Sequence, residues 1–224
     1  MGKLYLVPTP IGNLRDITLR ALEVLAKVDL ILAEDSRVTK KLLNHYEINT
    51  KIKSYHVYNE HKALSEIINL LISDNNIALV SDSGYPCISD PGFTLVREAI
   101  SKGIDLESLP GASSIIPALT QSGLPTTSFI FEGFLPKKKG RQKKIFELSK
   151  EKRTVILFES PYRVIKLLNE IKDICGAEKN ISISREISKI FEETIRGTVD
   201  ECLLHFEKKE PKGEFVICLQ GFKS

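Results

Sequence analysis

The chain has 224 residues, of which 42% are hydrophobic and 27% are charged. These values are typical of a globular protein with a core of its own, and they exclude wholesale disorder. The net charge of +3 indicates no polyanionic partner, but it is divided unevenly: residues 1–116 hold 12 basic and 14 acidic residues (−2), and residues 117–224 hold 20 basic and 15 acidic residues (+5).

The four cysteines are far apart and none belongs to a CxxC pair. We therefore expect reduced thiols and no metal site. The N-terminal apolar run is too short for a signal peptide, and no stretch approaches the ~20 apolar residues of a membrane span. A cytoplasmic protein with no membrane partner is expected.

The first half of the chain alternates short apolar runs with segments of helical period. Such alternation predicts a parallel sheet covered by helices, whose ligands bind beyond the carboxyl ends of the strands. The loops after Val7, Ala33, Val80 and Leu109 should therefore line one site. In chain order, the predicted elements are strand 4–7, helix 18–27, strand 30–33, helix 36–46, strand 51–56, helix 64–71, strand 77–80, helix 93–101 and strand 104–109.

The second half does not alternate strands and helices regularly, because some predicted strands are not followed by a helix. Strands are predicted at 129–131, 154–158, 181–184 and 214–219, and helices at 141–150 and 162–174. The segment 121–127 is rich in glycine, proline and serine and is the best candidate for a boundary. We therefore predict two α/β domains, residues 1–117 with a mainly parallel sheet and residues 118–224 with a mixed sheet.

The densest chemical signal is VSDSGYPCISDPG, which begins at Val80. Ser81, Asp82 and Ser83 directly follow a predicted buried strand, and such side chains suit recognition of hydroxyl or amino groups. Gly84 would let the backbone approach a ligand closely. The later SDPG group, residues 89–92, fits a helix start equally well.

Two further loops follow strands of the first half. PTPIGN, residues 8–13, is neither a GxGxxG motif nor a phosphate loop, so ordinary dinucleotide or triphosphate binding is poorly supported. PGASS, residues 110–114, offers Ser113, which could also serve as a helix cap. Three loops of small residues at one sheet edge are hard to explain as turns alone.

Charged residues are the main signal of the second half. Glu159 follows a strand and should face a cleft, whereas Arg185 and Glu186 could form a surface pair. A cation cluster in residues 137–144 suits contact with a phosphate backbone, with a solvated helix start as the alternative. Cations near a helix N-terminus oppose its dipole, which favours the nucleic-acid interpretation. The cluster consists of Lys137, Lys138, Lys139, Arg141, Lys143 and Lys144.

These motifs occur in an order that resembles a known family. PTPIGN, SDSGYPCISDPG, PGASS, ESPYR, SREISKIFEE and GEFVICLQG together resemble the bacterial small-subunit ribosomal RNA (cytidine-2′-O)-methyltransferases, within the tetrapyrrole methylase superfamily. The resemblance covers nearly the whole chain. It implies a two-domain α/β homodimer that binds S-adenosyl-L-methionine between its domains and methylates 16S ribosomal RNA, naked or in the 30S subunit.

The resemblance also implies roles for individual residues. Cofactor contacts carry over to Pro10 of the PTPIGN loop and to the SDSG group, which stands where the superfamily has a Gly-Asp-Pro-type loop. They also carry over to the PGASS loop and to the end of the strand predicted at 154–158. Many relatives continue into a small helical extension, and its RNA contacts are not expected here. The implied cofactor residues are Pro10, Ser81, Asp82, Ser83, Gly84, Ser113, Ser114, Phe158 and Glu159.

The second signature loop departs from the family's common SDAGTPLISDPG. Ser83, Tyr85 and Cys87 replace alanine, threonine and an aliphatic residue, which could alter the edge of the pocket. Asp82 and Gly84 are kept.

The implied reaction is in-line attack of a ribose 2′-oxygen on the methyl carbon of the cofactor. Alignment supplies much of the acceleration, and a positioned group should accept the hydroxyl proton. Glu159 and Glu186 are the candidates. Two alternatives stay open: methylation of a porphyrin precursor, which PTPIGN, ESPYR and the lysines disfavour, and a noncatalytic RNA-binding factor, which the retained cofactor loops disfavour.

Overall fold

The computed structural model describes residues 1–222. The chain divides into two compact units between Ser113 and Ser114, slightly before the boundary after residue 117 that the sequence predicts. Within the described residues, none of the helices combines the length and the apolar character that a bilayer crossing requires.

The first unit is built on a five-stranded parallel sheet. Its strands are β1 (Lys3–Leu6), β2 (Leu30–Ala33), β3 (Ile52–Ser54), β4 (Ile77–Val80) and β5 (Asp105–Ser108). They lie in the order β3-β2-β4-β1-β5, and each neighbouring pair is parallel, which confirms the predicted sheet. A short 3-10 turn (Leu14–Asp16) follows the first strand, and the helices are α1 (Leu19–Lys27), α2 (Ser36–His45), α3 (Glu60–Ile72) and α4 (Phe93–Ser101).

Both faces of this sheet are covered, as the continuously apolar strands predict. Successive strand residues point to opposite faces. Accordingly Ile77 and Leu79 belong to one core cluster, and Ala78 and Val80 belong to the other. The central strand β4 is therefore buried along its whole length.

The second unit is built on a mixed five-stranded sheet, also as predicted. Its strands are β6 (Phe129–Phe134), β7 (Thr154–Glu159), β8 (Asn180–Arg185), β9 (Glu193–Thr198) and β10 (Phe215–Leu219), in the order β6-β7-β10-β8-β9. The pair β6–β7 is parallel and the other pairs are antiparallel. The helices are α5 (Ile115–Gln121), α6 (Arg141–Ser149), α7 (Val164–Cys175) and α8 (Val199–Lys208).

Three elements of this unit are absent from the sequence-based prediction. Strand β9 lies at the edge of the sheet and has one apolar residue, Ile195, so it lacks an alternating pattern. Helix α5 is one of the shortest and packs on β8 and β10. Helix α8 did carry a signal, because Thr198 and Glu201 form a capping box at its start.

Candidate functional site

The loops that follow β1, β2, β4 and β5 start at the same edge of the first sheet, because these strands are parallel. This edge is called the carboxyl edge below. The first and third of these loops are joined by a pair of backbone hydrogen bonds. The Thr9 amide donates to the Gly84 carbonyl over 2.9 Å, and the Gly84 amide donates to the Thr9 carbonyl over 3.0 Å.

Side chains reinforce this junction. The buried hydroxyl of Thr9 donates to the Ser81 carbonyl over 3.0 Å, and the Ser81 hydroxyl donates to the Gly84 carbonyl over 3.0 Å. Gly84 has φ +78°, a conformation that costs other residues steric strain. The PTPIGN and SDSG motifs therefore form one rigid substructure.

The PGASS loop joins the same substructure. The Tyr85 hydroxyl accepts a hydrogen bond from the Gly111 amide over 2.9 Å. A Cβ atom at Gly111 would lie 2.8 Å from the Cβ of Pro8, so only glycine permits this approach. The structure thus brings three of the sequence-predicted loops together within the first unit.

Acidic side chains collect at the carboxyl edge. The Asp82 carboxylate accepts a hydrogen bond from the Asp35 amide over 2.9 Å. Burial, together with the charges of Glu34 and Asp82, raises the pKa of Asp90 to about 6. Burial and the charge of Asp82 also raise the pKa of Glu34. This local potential favours a ligand that carries positive charge.

Sequence reasoning did not assign Glu34 or Asp90 to the site. Glu34 begins the loop after Ala33, which the sequence predicted to line the site, but its side chain was not singled out there. Asp90 belongs to the SDPG group that resembled a helix start. Tyr55, which follows β3, is buried completely, and its hydroxyl and the Nδ1 atom of His56 have no hydrogen-bond partner within the described residues.

The predicted cofactor residues differ in their surroundings. Ser81 is 2% exposed and Gly84 is buried, whereas Asp82 and Pro10 are half-buried and Ser83 is exposed. Ser113 is half-buried at the end of the first unit.

The other predicted contacts belong to the second unit. Ser114 occupies the N-cap of α5, but its side chain makes no capping hydrogen bond. Phe158 packs edge-on against Phe131 and Phe134 within the second sheet.

Glu159 lies in a buried ion-pair network. Its side chain is fully buried, and its two carboxylate oxygens accept from Arg141 over 3.2 Å and from Arg163 over 2.7 Å. The Ser160 amide also donates to it over 2.9 Å. Two guanidinium groups and a backbone amide thus occupy both oxygens of this carboxylate. The network joins the end of β7 to the first residue of α6 and to the loop that precedes α7.

Glu186, the other candidate base, is also occupied. One carboxylate oxygen accepts from Lys189 Nζ over 2.9 Å and from the Glu214 amide over 2.9 Å. The Lys189 bond and the Glu214 amide help to lower the pKa of Glu186 against the effect of burial. The arrangement ties the end of β8 to the start of β10.

The structure separates the cation cluster into three groups. Arg141 is buried in the Glu159 network, which makes it unsuited to contact RNA. Lys144 pairs with Glu132 over 2.7 Å, and Lys143 lies 4.0 Å from Glu147. The remaining lysines are exposed and form no ion pair with any described residue: they are Lys137, Lys138 and Lys139.

Within residues 1–222, no group of three or more His, Cys, Asp or Glu side chains is arranged to hold a metal ion.

Known proteins match this chain over nearly its whole length. Residues 3–203 match the family model of tetrapyrrole (corrin/porphyrin) methylases. Ribosomal RNA small subunit methyltransferase I of Thermotoga maritima is 48% identical over 221 residues, covering 99% of each chain. The protein of the same name from a Synechocystis strain is 46% identical, covering 99% of this chain and 80% of that protein.

A solved structure supports the fold. Uroporphyrin-III C-methyltransferase from Thermus thermophilus, complexed with S-adenosylhomocysteine, superimposes with a TM-score of 0.67. The two chains are 17% identical, and the match covers 98% of this chain and 97% of the other. At this identity the likeness shows the fold alone.

Proposed function

The chain belongs to the tetrapyrrole (corrin/porphyrin) methylase family, and from that premise we propose that it methylates small-subunit ribosomal RNA with S-adenosylmethionine as donor. The finer reaction is transfer to the ribose 2′-oxygen of a cytidine. The observation that carries the proposal is the agreement, over nearly full length, with relatives named for small-subunit ribosomal RNA methylation.

The residues at the carboxyl edge fit such a donor. When bound, S-adenosylmethionine supplies a methyl group on a cationic sulfonium, which is activated for nucleophilic attack. Glu34, Asp82 and Asp90 provide negative charge for a ligand with sulfonium and ammonium groups. The Thr9–Gly84 junction fixes backbone groups beside them. Rigid placement of the donor promotes in-line attack, because alignment lowers the entropic part of the barrier.

Methylation of a tetrapyrrole is the second candidate, because the matching family model is that of tetrapyrrole (corrin/porphyrin) methylases. The exposed lysines Lys137–Lys139 favour RNA, since they suit a line of phosphates. The relatives with high identity favour RNA as well.

The two candidates are separated by following the methyl group. The protein and a methyl-labelled donor are incubated in parallel with three acceptors. These are undermethylated small ribosomal subunits, naked RNA from such subunits, and a porphyrin precursor. We expect label in RNA, at the 2′-oxygen of a cytidine. Label in the macrocycle, in a nucleobase, or in no acceptor despite donor binding would contradict the proposal.

Asp82 supplies a direct test of the donor site. Asp82→Asn keeps an oxygen acceptor for the Asp35 amide but removes the charge. We expect calorimetry to give donor binding weaker by roughly tenfold, the usual size for loss of a charge-assisted hydrogen bond. Asp173→Asn, an exposed carboxylate on α7, is the matched control and should bind as the parent does. Equal affinities for all three proteins would remove Asp82 from the donor site.

We also propose a homodimer, as the family resemblance implies, and a place of action in the cytoplasm, where ribosomal subunits are assembled. Sedimentation velocity tests the first statement: the expected mass is twice that of one chain, and a monomer at micromolar concentration would contradict it.

A further inference from the structure

The second sheet brings two loops together at one edge. Strands β6 and β7 are parallel neighbours, and Phe134 is aligned with Phe158 near their carboxyl ends. The loop after β6 carries the exposed lysines Lys137–Lys139, and the loop after β7 carries Tyr162. These two loops, residues 135–140 and 160–163, are called the β6–β7 edge.

The buried ion-pair network holds both loops in place. Arg141 donates to the Pro136 carbonyl over 3.3 Å in the first loop and to Glu159 over 3.2 Å at the end of β7. Glu159 also binds Arg163 and the Ser160 amide in the second loop. Loops held by several charge-assisted bonds lose little conformational entropy on binding a ligand.

The aromatic ring of Tyr162 is exposed on this rigid edge and does not contribute to packing. Its side chain is 95% exposed, and neither an aromatic ring nor a cation stacks on it within the described residues. The loop of this ring and the loop of the lysines follow neighbouring parallel strands, and the lysines form no ion pair with any described residue. An exposed ring and free cations on adjoining loops suit unpaired nucleotides: the cations contact phosphates, and the ring stacks on a base.

We propose that Tyr162 is a stacking platform for an unpaired base of the RNA substrate, whose phosphates lie against Lys137–Lys139. This inference rests on the proposed function, since it names how the RNA of that reaction is held. A duplex keeps its base faces stacked, so the site selects single-stranded RNA or a nucleotide that has left its stack.

The test uses the full chain and a short single-stranded RNA that carries 2-aminopurine, a base whose fluorescence falls on stacking. We expect Tyr162→Ala to weaken binding by roughly 5- to 150-fold, the range for loss of one base–aromatic stack, and to abolish the fluorescence decrease. Tyr162→Phe should bind as the parent does, because stacking needs the ring and not the hydroxyl.

Matched variants separate stacking from charge and from folding. Phe222→Ala removes a half-exposed ring that follows the end of β10, at the opposite edge of the same sheet, and should leave binding unchanged. Triple substitution of Lys137, Lys138 and Lys139 by alanine should flatten the salt dependence, whereas Tyr162→Ala should leave the slope intact.

Several outcomes would overturn the inference. Unchanged affinity of Tyr162→Ala, an equal loss in Tyr162→Phe, or absence of RNA binding by the parent would each do so. Failure of the proposed function is distinguishable: a chain that binds RNA through Tyr162 but transfers no methyl group keeps the inference and loses the function. A chain that methylates RNA with the same KM after Tyr162→Ala keeps the function and loses the inference.

Discussion

Asp90 shows how the surroundings of a single residue can set a pH dependence. Burial and the charges of Glu34 and Asp82 raise its pKa from an ordinary 3.8 to about 6. The folded protein therefore binds this proton more tightly than the unfolded chain does. The contribution of Asp90 to the free energy of unfolding is complete below pH 3.8 and is lost as the pH rises through about 6.

Donor binding should follow the opposite trend. Under the proposed function, ionised Asp90 attracts the cationic donor, so affinity should fall as the pH drops through about 6. Asp90→Asn should weaken donor binding at neutral pH and remove this part of the pH dependence. Calorimetric titration and urea unfolding of both proteins over the same pH range measure the two effects. Parallel pH profiles for the parent and Asp90→Asn would contradict the prediction.

Single residues also mark the limit of sequence reasoning. The sequence predicted Glu159 directly after a strand, and in the structure it is the last residue of β7. Its neutralisation by Arg141 and Arg163 could not be read from the sequence, because Arg141 lies in a lysine-rich run that looks solvated. Long-range ion pairs are set by the packing of α6 and α7 on the sheet, which no local pattern encodes.

Among the elements, the loop between β4 and α4 has the most constrained backbone. Besides Gly84, it has φ 127° at Gly92, and Cys87 and Ser89 adopt φ of 70° and 64°. Positive φ at residues other than glycine is costly and tends to occur where the surrounding structure enforces it. The constraint gives the loop a defined shape beside Asp82.

Gly92 and Gly103 form a matched pair that tests this constraint. Both have positive φ, but a Cβ atom at Gly92 would lie 2.6 Å from Leu79 Cδ2 and 2.7 Å from Cys87 Sγ, whereas nothing lies within 4 Å at Gly103. We expect Gly103→Ala to cost about 1 kcal/mol from the backbone alone, and Gly92→Ala to cost about 2–4 kcal/mol because overpacking is added. Urea unfolding measures both. Equal losses would show that the loop relaxes freely.

The elements themselves were predictable to different degrees. In the first unit, β2 and β4 are continuous apolar runs bounded by polar residues, and their predicted bounds are confirmed. In the second unit, β6 extends past its predicted end through Gly133, where the register shifts. Irregular strands of this kind depend on neighbouring strands, so their ends were not evident from periodicity.

At the scale of the whole molecule, the difference in net charge between the two halves of the chain can be traced to particular residues. The surplus of +5 in residues 117–224 includes three exposed lysines that form no ion pair with any described residue, whereas Arg141 and Lys144 of the same cluster pair with glutamates. The acidic carboxyl edge belongs to the first unit. The sequence alone indicated the division of charge but not which cations are free.

This division predicts that the two ligands respond to different substitutions. Replacing Lys137, Lys138 and Lys139 by alanine should weaken RNA binding several-fold at low salt, because three phosphate contacts are lost. Donor affinity should stay within twofold, since exposed side chains contribute nothing to the packing of the donor loops. Calorimetry with donor and anisotropy with RNA check this. Replacement of Lys27, Lys40 and Lys41, which are exposed in the first unit, is the control with the same change in charge.

The central position of β10 has a consequence for the order in which the chain matures during synthesis. The first sheet has all of its strands once Ser108 has left the ribosome, so that unit can fold early. The second sheet needs Phe215–Leu219 to fill the gap between β7 and β8. Until then, two unpaired strand borders stay open, and the nascent second unit is the stage most prone to aggregation and most dependent on chaperones.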